Sequence, residues 1–464
     1  MFQPKTIIEP FRVKVVEPLP ILERADRAEA LQNADFNLFS VPAEKVTVDL
    51  MTDSGTSAMS QEQWAAIMRG DESYAGARSF FRFQKVLQDL TGMKHIIPAH
   101  QGRAAERILF HIAGGAGKKV PSNTHFDTTR ANVENSGAEA LDFVIPEGLD
   151  PQSTHPFKGN VDLARLEEWL KTNHANVPLF VLTVTNNSGG GQPVSLENMH
   201  GLRNLLQKWN IPLFLDCARF AENAWFIHLR ELGQEGRSPR EISQEMFSLC
   251  DGAMISAKKD GFGNIGGFLA LKQDDWAAEC RNMLILTEGF PTYGGLAGRD
   301  LDALAVGLEE VLDERYLAYR IASIEYVWRR LDEVGVPLLG PAGGHAIYLD
   351  ARRFLPDVSP GELPGQSISV ALYLEAGVRA CEIGTVMFGK TLPDGSQQSA
   401  GMDLVRMAIP RRVYTQSHMD YVIEAVAYVW ERRSSIKGMR IRNEPSALRH
   451  FTCGFEPVGW NPLA

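Results

Sequence analysis

From Asp162 onward the chain alternates helix-length and strand-length segments, and this alternation admits few folds. A helical pattern with Leu163, Leu166 and Leu170 on one face is followed by a strand over 178–185. After the loop Asn186-Asn187-Ser188-Gly-Gly-Gly-Gln192-Pro193 come a helix over 195–208 and a strand over 211–215. Ser238-Pro239-Arg240-Glu241 reads as a capping box with proline at the first helical position, opening a helix that runs toward Cys250. Two further apolar runs, before Lys258 and after Gly266, read as strands. Repeated βαβ units of these lengths build a parallel sheet with helices on its faces.

Within that pattern the stretch from Ile211 to Lys259 carries the chemistry. One apolar run ends on Asp216, with Arg219 just beyond, and the next ends Ser256-Ala-Lys258-Lys259 before a glycine-rich loop. Ligands of open parallel sheets sit beyond the carboxyl ends of the strands, so Asp216 and Lys259 are expected to face one crevice. A lysine for a Schiff base and an acid for the ring nitrogen are what pyridoxal phosphate requires. Taken alone, each residue has a plainer reading: a Lys-Lys pair is more often a solvated turn, and Asp216 serves as well as a helix cap.

The rest of the chain offers the remaining parts. Residues 1–55 mix proline with short apolar pieces and read as an arm packing with a second, smaller domain. Residues 56–312 form the large α/β domain, with helices near 61–68 and 79–90. Gln101-Gly102-Arg103 leads a short apolar run into a helix. Its opening N–H groups and the guanidinium suit a phosphate dianion, and an ordinary turn with a surface arginine is the alternative. Ser256 and Lys258 can complete that cradle. Phe126 follows a strand-like segment, where an aromatic normally packs in the core but is also placed to stack on a planar ring. A long helical stretch over 301–334 leads into the small α+β domain, 313–464. There strands over 344–350 and 405–410 and helices over 367–376 and 418–433 are expected. Arg406, at a strand end, is placed for a bidentate carboxylate contact or for a surface ion pair.

Composition closes off other classes. Acidic residues outnumber basic ones, 57 to 47, and no dense basic run is present, so a nucleic-acid surface is not expected. Five scattered cysteines (Cys217, Cys250, Cys280, Cys381, Cys453) form no C-x-x-C pair, which argues against a disulfide framework or zinc site and for a reducing cytoplasm. No signal peptide or membrane span is read from the sequence.

Long motifs then point further. TDSGT, RGDESYAG, HQGRAAE, HFDTT, NNSGGGQPVS, LDCARFAENAWFI, SAKKDGFGNIGGFLA, EGFPTYGGL, AGGHAIYLDA and RHFT together resemble the β-eliminating lyases of pyridoxal-phosphate fold type I. That family contains tryptophanases and tyrosine phenol-lyases, and the likeness runs from Val48 to Phe451. It implies an aspartate-aminotransferase-like fold and elimination of an aromatic leaving group from an amino acid. By resemblance, Lys259 is the Schiff-base lysine and base at Cα. Asp216 pairs the ring nitrogen, Arg219 lies beside the phenolate oxygen, and Phe126 stacks on the ring. Gln101, Gly102, Arg103, Ser256 and Lys258 hold the phosphate. Arg406, Asn187 and Thr52 hold the substrate. Tyr74, Asp127 and His450 lie near protonation of the leaving carbon. Gly55, Glu72 and Asn264 match the family's monovalent-cation site, for which K⁺ is expected. A homotetramer, a dimer of dimers with shared sites, is implied as well.

Three positions choose the substrate. Asp127 stands where tyrosine phenol-lyases have Thr, Ile383 follows Glu382 where they have Arg, and His450 stands where they have Phe. An acid accepts from an indole N–H whereas a phenol oxygen wants a donor, so L-tryptophan is expected to yield indole, pyruvate and ammonium. The competing readings are a phenol-releasing lyase, an aminotransferase of the same fold, and a non-catalytic binder of indole or cofactor. His125 and the tail from Cys453 depart from the family pattern without touching a matched catalytic position.

Overall fold

The computed structural model describes residues 7–445 and 448–463; the first six residues of the expected arm, Ser446, Ala447 and Ala464 of the tail lie outside the described residues. The chain divides into two compact units. One comprises Ser54–Gly148 and His155–Ile321, and the other the chain up to Asp53, Leu149–Thr154 and the chain from Ala322.

The first unit is built on a seven-stranded sheet. Its strands are β1 (His95–Ala99), β2 (Lys119–Ser122), β3 (Glu139–Asp142), β4 (Phe180–Thr183), β5 (Leu213–Asp216), β6 (Gly252–Ser256) and β7 (Gly267–Leu271). They lie in the order β1-β7-β6-β5-β4-β2-β3. Successive side chains of a strand point to opposite faces, and here both faces are covered. Phe180, Leu182, Leu213, Leu215, Ala253 and Ile255 pack into one core. Val181, Phe214 and Met254 pack into another, with Ile108, Leu109 and Cys280. This two-sided burial is why the strands read as continuous apolar runs.

β7 departs from the parallel pattern, running antiparallel to both β6 and β1. Only residues 257–266 join β6 to β7, too few for a helical crossover, so the strand must return beside its predecessor. The expected capping box is present: the Ser238 side chain accepts from Glu241 N, with Pro239 beginning the helix Pro239–Ser248. The long helical stretch is two helices, Gly298–Glu310 and Glu314–Glu333. Asp313 divides them, its Oδ1 accepting from the N–H groups of Arg315 at 2.8 Å and Tyr316 at 3.1 Å. The strands β2 and β3 carry lysine, proline, glutamate and aspartate and gave no apolar signal.

The other unit holds an antiparallel sheet in the order Cys381–Ile383, Leu404–Ala408, Ala346–Asp350. Helices Pro364–Ala376 and Gln416–Glu431 supply Ile368, Leu372, Val422 and Val426 to its core. The N-terminal segment is stitched into this unit. Val48–Asp49 pairs in parallel with Val378–Arg379, and Arg27 Nε donates to Leu374 O at 2.7 Å. Among the described residues no disulfide joins the five cysteines, all of which are buried. Among the described residues no helix is long and apolar enough to cross a membrane.

One side chain opens the sheet at its carboxyl edge. β2 and β4 share a single register pair, Ser122 opposite Val181. Beyond it Asn123 takes over from the backbone. Its Oδ1 accepts from Thr183 N at 2.9 Å, and its Nδ2 donates to Thr183 O at 3.0 Å and Gly159 O at 2.9 Å. Asn123→Ala strands these buried groups and is expected to cost about 2–3 kcal/mol, read as a lower urea midpoint with unchanged slope. A loss under about 0.5 kcal/mol, the size of an ordinary surface substitution, shows that the amide is not a strut.

Candidate active site

Because both faces of the seven-stranded sheet are apolar, its polar residues collect where the strands end. β1 gives way to Gln101 and the helix Gly102–Ala113. The approach is close: a Cβ on Gly102 would lie 2.7 Å from the Ser256 Cβ, and one on Gly267 would lie 2.6 Å from Gln101 C and 2.7 Å from Gly102 N. No side chain caps this helix. Lys258 Nζ reaches Gln101 Oε1 at 3.4 Å, and burial, then the neighbouring Arg103 charge, hold its amine below the ordinary lysine range. The buried Ser256 Oγ makes no hydrogen bond among the described residues. Two like charges, a spare hydroxyl and uncapped N–H groups form a donor set with room for an anion.

The ends of β4, β5 and β6 lie beside it. Asp216 closes β5. Burial pushes its carboxyl up to about 6, opposed by the charges of Lys259 and Arg219 and by the N–H of Ala218. Arg219 is itself buried. Asp260 ties the two turns together: its Oδ2 accepts from Ala221 N at 2.8 Å and its N–H donates to Ala218 O at 3.3 Å. After β4, Asn187 is buried, and the buried Thr183 Oγ1, Thr185 Oγ1 and Asn186 Nδ2 have no partner among the described residues.

Beyond β2, Phe126 is the N-cap of the helix Asp127–Asn135. His125 fixes that turn through its N–H and Nδ1, which meet Asp142 Oδ1 at 3.0 and 2.8 Å. Although burial opposes it, His125 and Arg130 hold the Asp142 carboxyl below its ordinary range. Ser188 Oγ donates to His125 O at 3.1 Å and so fastens the Asn187 loop to the same turn. The departure at His125 is thus a structural anchor directly before the stacking candidate.

Gly55 N donates to Lys258 O at 2.8 Å, and Asn264 Nδ2 donates to Gly55 O at 3.0 Å. Glu72 pairs with Arg299 at 3.2 Å. Tyr74 is 72% exposed, its ring 5.7 Å from Phe290 and 5.4 Å from Tyr293. A hydrogen bond to Tyr293 raises its phenol above the ordinary value.

The other expected residues belong to the three-stranded unit. Arg406, buried in the middle strand, donates from Nη2 to Met51 O at 3.0 Å, directly before Thr52. Met51 lines a small cavity with Asn37, Cys381, Glu382 and His450. His450 is held through its carbonyl by Asn37 Nδ2 at 3.2 Å, and its ring lies 5.9 Å from that of Phe39. Ile383 ends its strand buried. Burial, then Asp403, push the adjacent Glu382 up to about 8.

Sequence reading had singled out neither Asp260 nor Glu106. Asp260 follows the lysine pair, and Glu106 lies four residues after Gly102, one helical turn along the same face. The residues of the seven-stranded unit fit pyridoxal 5′-phosphate: a cationic cradle with an unpaired hydroxyl, an acid facing a lysine across the strand ends, and unpartnered buried polar atoms at the end of β4.

The chain matches the family model of beta-eliminating lyases over residues 49–425. A protein named tryptophanase from Rhodobacter capsulatus is 59% identical, covering 98% of this chain and 100% of the relative. One of the same name from Hyphomonas neptunium is 57% identical, over 97% and 99%. A tyrosine phenol-lyase from Symbiobacterium thermophilum is 44% identical, over 97% and 98%. Among solved structures, a serine palmitoyltransferase of Sphingomonas wittichii superposes with a TM-score of 0.56 at 14% identity, over 84% of this chain and 88% of that one. That likeness speaks to the fold alone.

Gly267→Ala drives a methyl into the Gln101–Gly102 backbone, and overpacking of this kind costs roughly 1–3 kcal/mol. Affinity for pyridoxal phosphate, measured by equilibrium dialysis, is expected to fall about tenfold or more. Gly92→Ala, at φ +66 with open space around it, adds roughly 1 kcal/mol of strain and leaves that affinity unchanged. Equal affinities in the two variants would dismiss the close approach as irrelevant to binding.

Proposed function

This chain belongs to the beta-eliminating lyase family, and on that premise we propose that it cleaves L-tryptophan to indole, pyruvate and ammonium with pyridoxal 5′-phosphate. The observation carrying the choice of substrate is the gap in identity between its tryptophanase and phenol-lyase relatives. Ile383 agrees with it, because an apolar wall suits indole and offers a phenol oxygen no donor.

When bound, the cofactor supplies an electron sink for charge developing at the substrate Cα. Gln101, Gly102, Arg103, Ser256 and Lys258 hold its phosphate. Phe126 would hold the cofactor ring and Arg219 its phenolate. Asp216, kept near two cations, would hold a proton on the ring nitrogen. Lys259 would hold the cofactor through Nζ, and the same amine would take the proton from the substrate Cα. Arg406 and Asn187 grip the substrate carboxylate with help from Thr52. Asp127 accepts from the indole N–H. Tyr74 and His450 serve proton delivery to indole C3, without which indole leaves poorly.

For the cation we propose K⁺ on the Gly55 and Asn264 carbonyls with Glu72. Glu72 and Tyr74 lie on one exposed segment. Trp64, Met68, Phe81 and Leu286 of the same unit are also exposed apolar residues, which a second copy would cover. We infer a homotetramer, a dimer of dimers, whose sites are completed by that segment from a second copy. Five cysteines outside any disulfide favour a cytoplasmic home.

Purified protein given cofactor and K⁺ is expected to release indole from L-tryptophan far faster than phenol from L-tyrosine, followed by chromatography of both products; phenol as the main product would reverse the assignment. Lys259→Ala is expected to stay folded by circular dichroism, to lose the visible absorbance of the bound cofactor, and to lose roughly 10³-fold or more in turnover. Normal turnover in that variant would refute the role of the lysine.

A further inference from the structure

Glu106 is a buried carboxyl to which none of the roles above gives a use. It is 7% exposed and sits one turn into the helix that opens with Gly102. Its Oε1 accepts from Thr129 Oγ1 at 2.8 Å and its Oε2 from Asn132 Nδ2 at 3.1 Å. Thr128 adds a side-chain hydrogen bond. All three partners lie on the helix that Phe126 caps and Asp127 begins. One side chain therefore joins the helix of the phosphate cradle to the helix that carries the stacking ring.

The charged groups facing Glu106 are Asp216 at the end of β5 and Asp127 on the neighbouring helix. Asp216 in turn faces Lys259 and Arg219. Burial, then the Asp216 charge, push Glu106 up to about 7; the bonds from Thr129 and Thr128 oppose this, and Asp127 adds to it. Glu106 therefore gains negative charge near Asp216 as pH rises through neutrality.

We propose that Glu106 is a positioning residue of the cofactor site, holding the Phe126–Asp127 helix on the phosphate cradle and, when ionised, favouring retention of the proton shared by Asp216 and the ring nitrogen. This rests on the pyridoxal-phosphate reading above. The sign follows from charge alone: an added negative neighbour raises the proton affinity of the pair, so its contribution is present above the Glu106 titration and absent below it.

The test uses cofactor-free protein and pyridoxal phosphate, with affinity measured by equilibrium dialysis at pH 6 and pH 8 and the visible absorbance of the complex titrated between them. Glu106→Gln is expected to bind about tenfold more weakly than wild type at pH 8 and within about threefold at pH 6, as for loss of one pKa unit of coupling. Thr129→Val keeps the acid but removes a bond to its ionised form, so the midpoint of the wild-type pH dependence moves upward. An equal ratio of affinities at both pH values, or an unmoved midpoint in Thr129→Val, overturns the proposal. If Glu106→Gln proves misfolded by circular dichroism, the Thr129→Val midpoint decides alone. Failure of the wild-type protein to bind pyridoxal phosphate at either pH sinks the cofactor reading instead.

Discussion

A carboxylate at the end of a strand buried on both faces costs free energy, and Asp216 is tolerated there because Lys259 and Arg219 face it. Neither cation stands there by chance. Lys259 arrives on the loop that reverses the chain from β6 into β7, and Asp260 pins that loop to the turn after Asp216. The antiparallel return of β7 also presses Gly267 against the Gln101–Gly102 backbone. A short connection between two strands therefore fixes the lysine, the acid and the phosphate cradle relative to one another. Lengthening it would loosen all three.

Much of this was legible in the residues. The alternation from Asp162 onward gave the parallel sheet because two-sided burial leaves continuous apolar runs. The capping box at Ser238 gave a helix start because its two hydrogen bonds need those residue types at that spacing. The lysine, the acid and the glycine of the cradle stand at strand ends, where their order along the chain already placed them.

Other features left no periodic trace. β2 and β3 are short and polar, and little beyond the segment before Phe126 separates them from loop. The break at Asp313 lies inside an otherwise unbroken apolar stripe, and only the side-chain bonds to Arg315 and Tyr316 reveal it. Asn123 and Glu106 do their work through partners distant in sequence, Thr183 in one case and Thr129 and Asn132 in the other. Tyr74 was expected near the leaving carbon, and its exposed position among Phe290 and Tyr293 is a matter of surface that spacing does not encode.

The buried thiols bear on selectivity among nucleophiles. Burial raises Cys217 well above the ordinary thiol range and pushes Cys250, Cys280 and Cys453 up to about 12; Cys381 is buried as well. Sulfur attacks carbonyl carbon as the thiolate, and burial holds Cys217, Cys250, Cys280 and Cys453 toward the thiol form. An aldehyde entering the protein thus meets amines without competition from sulfur, and hemithioacetal side products are suppressed by packing alone.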